Sequence, residues 1–250
     1  ISKTLKDFKS HMADYASKFP DNAGAHNSIY RGKYLGNTVT TAQYNAISSG
    51  TFEDIYIGDY WTIDGISYAI GCFNYFLNTG SAALTQNHIT LVPMGTLYTH
   101  VMNDTNTTEG GYAGSKMYME GLDQAKSIIN SAFPGHVLNH KQYLSNVAVD
   151  GQADGWAEFD STVELMNEHM VYGGSVWANG RRSAPSYNIG QGKSQLPLFA
   201  FRPDLIGIRN TWWLRDVVST LNFALVDTHG YAISRTASNS YGVRPAFSIS

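Results

Sequence analysis

Apolar side chains recur at alternating steps of four and three positions in the first twenty residues. This seam consists of Ile1, Leu5, Phe8, Met12, Tyr15 and Phe19. A heptad spacing of this kind predicts an N-terminal helix over residues 1–20 that ends at Pro20. Two interpretations of the seam remain open, because so short a coil is marginal on its own. The helix packs against its own domain, or it bundles with copies of itself in a homo-oligomer.

Residues 21–54 are expected to connect this helix to a larger domain over residues 55–250. A short helix is predicted in the connector from Thr41 to Ser48, with a Thr cap at its start. The larger domain contains a second helical pattern over residues 115–133, which Pro134 ends. A third helix is predicted from Ser161 to about His169, because the run from Ser161 to Glu164 has the form of a capping box.

Alternating apolar and polar side chains predict strands in the rest of the domain. Two such runs flank Asp64-Gly65, a pair typical of a type I′ hairpin turn. Another strand is predicted over residues 88–94, where Pro93 should end the pairing. The last strands are predicted at about residues 212–217, 222–227, 230–235 and 242–249, with a turn at residues 228–230. Two helices combined with twisted antiparallel sheets make an α+β fold.

Composition and charge exclude several functional classes. Charged residues form 15% of the chain and the net charge is −3, so the chain lacks the basic surface of a nucleic-acid-binding protein. No apolar run approaches the roughly 18 residues of a membrane span. The single cysteine, Cys72, rules out an internal disulfide framework and is expected to be a buried thiol. We therefore expect neither a nucleic-acid partner nor a membrane partner.

The chain shows no convincing catalytic constellation. Among eight histidines only His136 and His140 have a ligand-like spacing, and in a strand they would lie about 13 Å apart. Four acidic residues crowd a Gly-rich stretch, which predicts either a calcium site or, more simply, a solvated turn. They are Asp150, Asp154, Glu158 and Asp160. We expect a protein that is not an enzyme and that needs no cofactor or metal.

Charged residues inside the apolar C-terminal strands predict a buried polar cluster. Arg215, Asp216 and Arg244 stand in otherwise apolar runs, where charges are costly unless they are paired or hydrogen-bonded. Such a cluster would hold the last strands together. Trp212 and Trp213 should point to opposite faces of their strand, with one in the core and the other exposed beside a polar stretch.

Two segments near the C-terminus carry a resemblance to known proteins. Trp-Trp-Leu-Arg-Asp, followed by Tyr-Gly-Val-Arg-Pro-Ala-Phe, resembles the closing strands of the C-type-lectin-like fold. Formylglycine-generating enzymes and the variable proteins of diversity-generating retroelements share that fold. Further segments resemble structural proteins of tailed phages of Gram-positive and gut bacteria, and the resemblance covers about residues 30–250. These segments are residues 57–63, 103–108, 160–166 and 193–199.

The resemblance implies a virion protein of the head fibre, tail or baseplate, made in the cytoplasm of the bacterial host. Its N-terminal helix would form a trimer, and its lectin-like face would attach to a bacterial surface polymer or protein. A purely architectural part that contacts other virion subunits is the alternative. A formylglycine-generating enzyme is disfavoured because that chemistry uses a cysteine pair. Calcium-dependent sugar binding is disfavoured because the Trp-Asn-Asp type triplet of such lectins is missing.

In the retroelement proteins the segment between the two closing motifs carries changeable residues on a fixed scaffold. By that resemblance, the candidate ligand-binding residues are Asn222, Asp227, Thr228, His229, Tyr231, Arg235, Ser238 and Asn239, joined from a preceding loop by Trp177, Arg181, Arg182 and Tyr187. Tyr, Trp and Arg are typical anchors of contact surfaces. The alternative is an ordinary solvated hairpin.

Overall fold

The computed structural model describes residues 21–178 and 194–250, which form a mixed α+β fold built mostly of sheets. The expected N-terminal heptad helix lies outside the described residues. The strands are β1 (Tyr34–Gly36), β2 (Tyr60–Ile63), β3 (Ile66–Phe73), β4 (Ile89–Pro93), β5 (Tyr98–Val101), β6 (His140–Leu144), β7 (Val147–Val149), β8 (Gln152–Asp154), β9 (Ala157–Ser161), β10 (Val163–Leu165), β11 (Trp212–Val217), β12 (Asn222–Val226), β13 (Ala232–Thr236), β14 (Ser240–Val243) and β15 (Pro245–Ile249).

The helices are short. They are α1 (Ala23–His26), α2 (Thr41–Ser49), α3 (Asp123–Ala132), α4 (Glu168–Tyr172) and α5 (Pro197–Phe201), with a π-helical turn (Met117–Gly121) and a 3₁₀ turn (Pro203–Leu205). The predicted connector helix is confirmed as α2, which Thr40 caps in a capping box with Gln43. The helix and the residues just after it contribute Ile47 and Phe52 to the core, and both side chains are fully buried.

Two main sheets carry the fold. A six-stranded sheet has the order β1-β2-β3-β4-β15-β10, and a five-stranded sheet has the order β13-β12-β11-β14-β5. Two small antiparallel pairs, β6-β9 and β7-β8, complete the strands of the described chain. The predicted hairpin at Asp64-Gly65 is confirmed, because both residues have the positive φ that a type I′ turn requires, 49° and 79°. Pro93 ends β4, as expected.

The predicted helix over residues 115–133 is interrupted by the hydroxyl of Tyr98. This hydroxyl donates to the carbonyl of Gly121 and accepts from the N–H of Ala125 at 3.1 Å. It therefore replaces the backbone hydrogen bond that would join those two residues in a continuous α-helix. The result is a π-helical turn followed by α3, rather than one regular helix.

The predicted helix from Ser161 to His169 is wrong. Ser161 ends β9, which pairs with β6, and residues 163–165 pair with β15 as β10. Val163 and Leu165 are fully buried in this pairing, and Glu164 is buried against the hydroxyl of Tyr112 at 2.8 Å. Local capping chemistry is a weak signal, and tertiary pairing of apolar residues overrides it here. The helix begins instead at Glu168, with Asn167 as its cap.

The strand predicted over residues 242–249 is divided at Arg244 between the two sheets. β14 belongs to the five-stranded sheet and β15 to the six-stranded sheet. Arg244 is buried between them, and it donates to the carbonyls of Pro93 at 2.8 Å and Leu205 at 2.9 Å. Its guanidinium lies 4.9 Å from the ring centre of Trp212. Burial lowers the pKa of Arg244 to about 9, so the group is still charged at neutral pH.

The predicted burial of the other charged strand residues is confirmed. Arg215 donates to the side-chain oxygen of Gln142 at 2.7 Å, and Asp216 accepts from the backbone N–H of Glu168 at 2.7 Å. The expectation of one exposed tryptophan is wrong, because Trp212 and Trp213 are both fully buried. Each lies on a covered face of β11, and each indole N–H donates to a backbone carbonyl. The five-stranded sheet is therefore covered on both faces at this strand.

His140 is a buried neutral histidine in this polar core. Its Nε2 accepts from the amide of Gln142 at 2.9 Å, and its ring stacks on Phe76 with 3.9 Å between the ring centres. Burial, His88 and Arg215 together lower its pKa to about 3. Protonation would remove the acceptor that Gln142 needs and add a charge beside Arg215. His140 is thus an ordinary hydrogen-bonded histidine of the core.

Replacing Arg244 should test its role between the two sheets. We expect Arg244→Ala to lower the free energy of unfolding by about 3 kcal/mol, because it leaves a cavity beside Trp212 and two carbonyls without donors. Arg244→Met should cost less, since its chain keeps much of the apolar packing. Urea denaturation measures both values. Equal stability of the alanine variant and the wild type would contradict this role.

The neutral state of His140 should make the protein lose stability in acid. Its pKa is 6.5 when unfolded and about 3 when folded, so the unfolded chain binds more protons between these pH values. Stability therefore falls as the pH falls through this window. Between pH 7.5 and pH 4.5, we expect His140→Gln to lose about 2 kcal/mol less than the wild type does. Denaturation at both pH values checks this, and parallel losses in the two proteins would refute it.

Candidate ligand-binding surface

The structure divides the predicted ligand residues into two groups at opposite ends of the β12-β13 hairpin. Arg181, Arg182 and Tyr187 lie outside the described residues. The turn between β12 and β13 carries Asp227, Thr228, His229 and Tyr231, and the far end carries Asn222, Ser238 and Asn239. Arg235 lies within β13. Five-residue strands separate the two ends by about 14 Å, so they do not form one compact pocket.

Asp227 organises the turn from within. Its Oδ1 accepts the backbone N–H groups of His229 at 2.8 Å and Tyr231 at 2.9 Å. Only 22% of the Asp227 side chain is exposed. By contrast, Tyr231 is 69% exposed, and its ring centre lies 6.3 Å from that of His229. Asp227 therefore positions the turn, while His229 and Tyr231 present their side chains to the outside.

Trp177 lies against the same turn. Its indole N–H donates to the carbonyl of Ala232 at 2.7 Å, while 51% of the residue remains exposed. Trp177 therefore lies beside Ala232, the residue that follows Tyr231 in the chain. We call the residues Trp177, Asp227, Thr228, His229 and Tyr231 the turn surface.

A buried carboxylate, Glu168, holds Trp177 in place. Its oxygens accept the backbone N–H groups of Val176 at 2.7 Å, Trp177 at 2.9 Å and Ala178 at 3.0 Å. Glu168 is fully buried, and burial followed by the neighbouring charge of Asp216 raises its pKa. Three N–H donors are a strong arrangement for a carboxylate, because such bonds favour its charged form.

Helix α4 connects the core to the turn surface. At its start, the N–H of Glu168 donates to Asp216 of β11, and at its end the hydroxyl of Tyr172 donates to the carbonyl of Gly230 at 3.1 Å. Sequence reasoning missed this function of Glu168, because it placed the residue near the end of a different helix. The available signal was Asn167, a good cap, followed five residues after Glu168 by Gly173, which ends the helix with φ at 81°.

Gly207 supports the turn from behind by close backbone approach. A Cβ at this position would lie 2.7 Å from the carbonyl carbon of His229, which is closer than packed atoms allow. The turn backbone is therefore fixed from three sides, by Asp227, by α4 and by the segment at Gly207.

The far end of the hairpin has a different support. Ser238 donates to the side-chain oxygen of Asn106 through its hydroxyl at 2.6 Å and through its N–H at 3.2 Å. Asn239 donates to the hydroxyl of Thr236 at 2.9 Å. Asn106 belongs to the Asn-rich segment of residues 103–108, so this segment braces the far end. These polar groups bond with one another, which fits a stable turn.

A small, partly open cavity of about 30 Å³ lies beside β11, with Asn167, Arg215 and Asp216 in its lining. This volume suits one or two water molecules.

Cys72 is buried, and burial raises the pKa of its thiol to about 12, as expected for a structural cysteine.

The acidic residues near 150–160 do not form a metal site. Glu158 accepts the N–H of Ser81 at 2.8 Å, and Asp160 pairs with Lys141 at 2.9 Å. Within residues 21–178 and 194–250, His, Cys, Asp and Glu do not group in threes that could hold a metal ion.

The helices of these same ranges are all too short or too polar to cross a membrane.

Comparison with known proteins gives one match. A family described as a domain of unknown function, DUF6273, matches residues 179–250. No curated protein and no solved structure matches the chain. The matched residues include strands β11 to β15 and the turn surface except Trp177, so the candidate residues lie mainly in a segment shared with that family.

The role of Glu168 can be tested by a nearly isosteric change. Glu168→Gln keeps the size but offers one oxygen in place of two, and its amide N–H₂ would face the loop N–H groups. We expect a loss of about 1–3 kcal/mol in stability and faster solvent exchange of the Trp177 indole N–H, measured by ¹⁵N NMR. Glu53→Gln, at an exposed position, serves as the control. Unchanged exchange in Glu168→Gln would show that Glu168 does not position Trp177.

Proposed function

We propose that the chain is a recognition protein that binds its ligand through the turn surface. One observation carries this proposal. Trp177 and Tyr231 are 51% and 69% exposed, although the backbone around each is fixed by hydrogen bonds to a carboxylate. Exposed aromatic side chains on a rigid backbone favour binding, since little conformational freedom is lost on contact.

The resemblance of the closing strands supports a biological setting for this surface. We propose a C-type-lectin-like domain in a tailed-phage virion, where the turn surface attaches to a polymer or protein on the bacterial surface. The N-terminal segment would join copies of the chain, with a trimer as the expected state. The single cysteine, Cys72, supports a role other than formylglycine chemistry, which relies on a pair of cysteines.

A second candidate is an architectural role in the same virion. Val176 is 56% exposed and lies next to Trp177 and close to the turn surface. Adjacent exposed apolar side chains also suit a protein–protein contact. In this case the turn surface would cover a neighbouring virion subunit rather than a cell-surface ligand.

Binding to bacterial cells tests the proposal. Fluorescently labelled protein should bind a subset of a panel of Gram-positive and gut bacteria. We expect the double variant Trp177→Ala, Tyr231→Ala to bind at least about tenfold more weakly, because aromatic anchors dominate such contacts. Thermal denaturation should show that it remains folded.

Tyr34→Ala provides the matched control, since Tyr34 is 52% exposed on the other main sheet. Equal cell binding by the folded double variant and the wild type would contradict the proposal. A different result would favour the architectural role. In that case neither the wild type nor the double variant binds cells, and the double variant, unlike the wild type, is not incorporated into virions.

A further inference from the structure

Strand β13 forms an edge of the five-stranded sheet, and its register shows which groups point away from the sheet. The N–H of Asp227 donates to the carbonyl of Tyr231, and the N–H of Ala237 donates to the carbonyl of Leu221, both at 2.9 Å. Backbone direction alternates along an antiparallel pair. The odd-numbered residues of β13 therefore bond to β12, and the backbone groups of Ala232, Ser234 and Thr236 point outward.

Each of these three outward carbonyls already has a donor. The indole of Trp177 donates to Ala232 at 2.7 Å, and the guanidinium of Arg235 donates to Ser234 at 2.9 Å. The N–H of Asn239 donates to Thr236 at 3.1 Å. Occupied carbonyls protect the edge from pairing with another strand.

The N–H groups of the same three residues, unlike their carbonyls, have no hydrogen-bond partner among the described residues. They recur at every second residue, about 7 Å apart along the strand. The described edge thus presents a row of donors, with the Arg235 guanidinium beside it, and few open acceptors.

We infer that this edge receives an anionic glycopolymer, a chain of sugar or polyol units that carries carboxylate or phosphodiester groups. This inference rests on the proposed function and names its ligand class. Anionic oxygens are acceptors only, so they match the N–H row and Arg235. Trp177 and Tyr231 lie at the start of the same strand, where their exposed rings offer an apolar surface to a sugar ring.

A peptide strand fits this edge less well. Strand addition needs both donors and acceptors from the edge, because a peptide backbone alternates the two. The carbonyls of Ala232, Ser234 and Thr236 each accept one hydrogen bond already, so the N–H groups of an added strand would have to share acceptors with these donors. A neutral polysaccharide would also fail to use the charge of Arg235.

The experiment titrates the full ¹⁵N-labelled chain with short probes and follows its backbone amides by NMR. The probes are oligogalacturonate for a carboxylate source, oligo(glycerol phosphate) for a phosphodiester source, and an oligodextran as the neutral control. We expect at least one anionic probe to shift the amides of Ala232, Ser234 and Thr236, and dextran to leave them in place. Higher salt should weaken the binding.

Arg235→Met should weaken binding of the anionic probe about tenfold, since it removes a charged donor and keeps much of the side-chain length. Lys126→Met removes a positive charge from α3, on another part of the molecule, and should bind like the wild type. Shifts confined to other residues, equal binding of dextran, or an unaffected Arg235→Met variant would each overturn the inference.

The cell-binding assay shows whether a negative result refutes only the proposed ligand class or the proposed function as well. If no anionic probe binds but cell binding still depends on Trp177 and Tyr231, the glycopolymer inference is wrong and the recognition function stands. If an extended peptide shifts the three amides instead, the ligand is a protein strand and the inference is again wrong. If cell binding is independent of Trp177 and Tyr231, the proposed function itself fails.

Discussion

Hydrogen bonds between buried charges and the backbone hold this fold together at two decisive positions. Arg244 donates to two carbonyls at the point where the chain passes from one main sheet to the other. Glu168 accepts three N–H groups at the point where the core meets the surface. Removing a buried charge from water is costly, so each site is stable only while its backbone partners stay in place. The charges therefore specify the backbone geometry around them.

The backbone geometry around Glu168 positions the turn surface. β11 is covered on both faces, and its Asp216 anchors the first residue of α4. The other end of α4 bonds to Gly230, and its Glu168 orders the loop that carries Trp177. These contacts fix the backbone at two exposed aromatic residues, Trp177 and Tyr231, around a turn that Asp227 closes. A fixed surface of this kind would lose little conformational freedom on contact with a ligand.

Much of the fold could be predicted where a local pattern and its tertiary setting agree. The Asp64-Gly65 pair correctly predicts the hairpin of β2 and β3. The predicted ends of β11, β12 and β13 lie within two residues of the observed ends. The turn around His229 was also predicted, because polar turn residues stand between two apolar runs. The grouping of Trp177 with Tyr231 came from a family resemblance, and the structure shows the Trp177 indole bonded to Ala232, the residue after Tyr231.

The failures share a physical cause, since each depends on a partner distant in sequence. The capping box at Ser161 was overridden by the pairing of β10 with β15, about eighty residues away. The hydroxyl of Tyr98 broke a helix that begins some twenty residues later. Arg244 was expected to be buried, but the change of sheet at that residue depends on Pro93 and Leu205. Periodicity does not encode such long-range contacts.

Backbone hydrogen exchange at Val176, Trp177 and Ala178 in the wild-type protein tests whether the core holds the turn surface in place. These three N–H groups belong to a surface loop, yet each donates to the buried carboxylate of Glu168. If Glu168 holds this loop, we expect exchange at least about a hundredfold slower than in an unfolded peptide of the same sequence. Exchange at the unfolded rate for all three would contradict the claim that the core holds the turn surface in place.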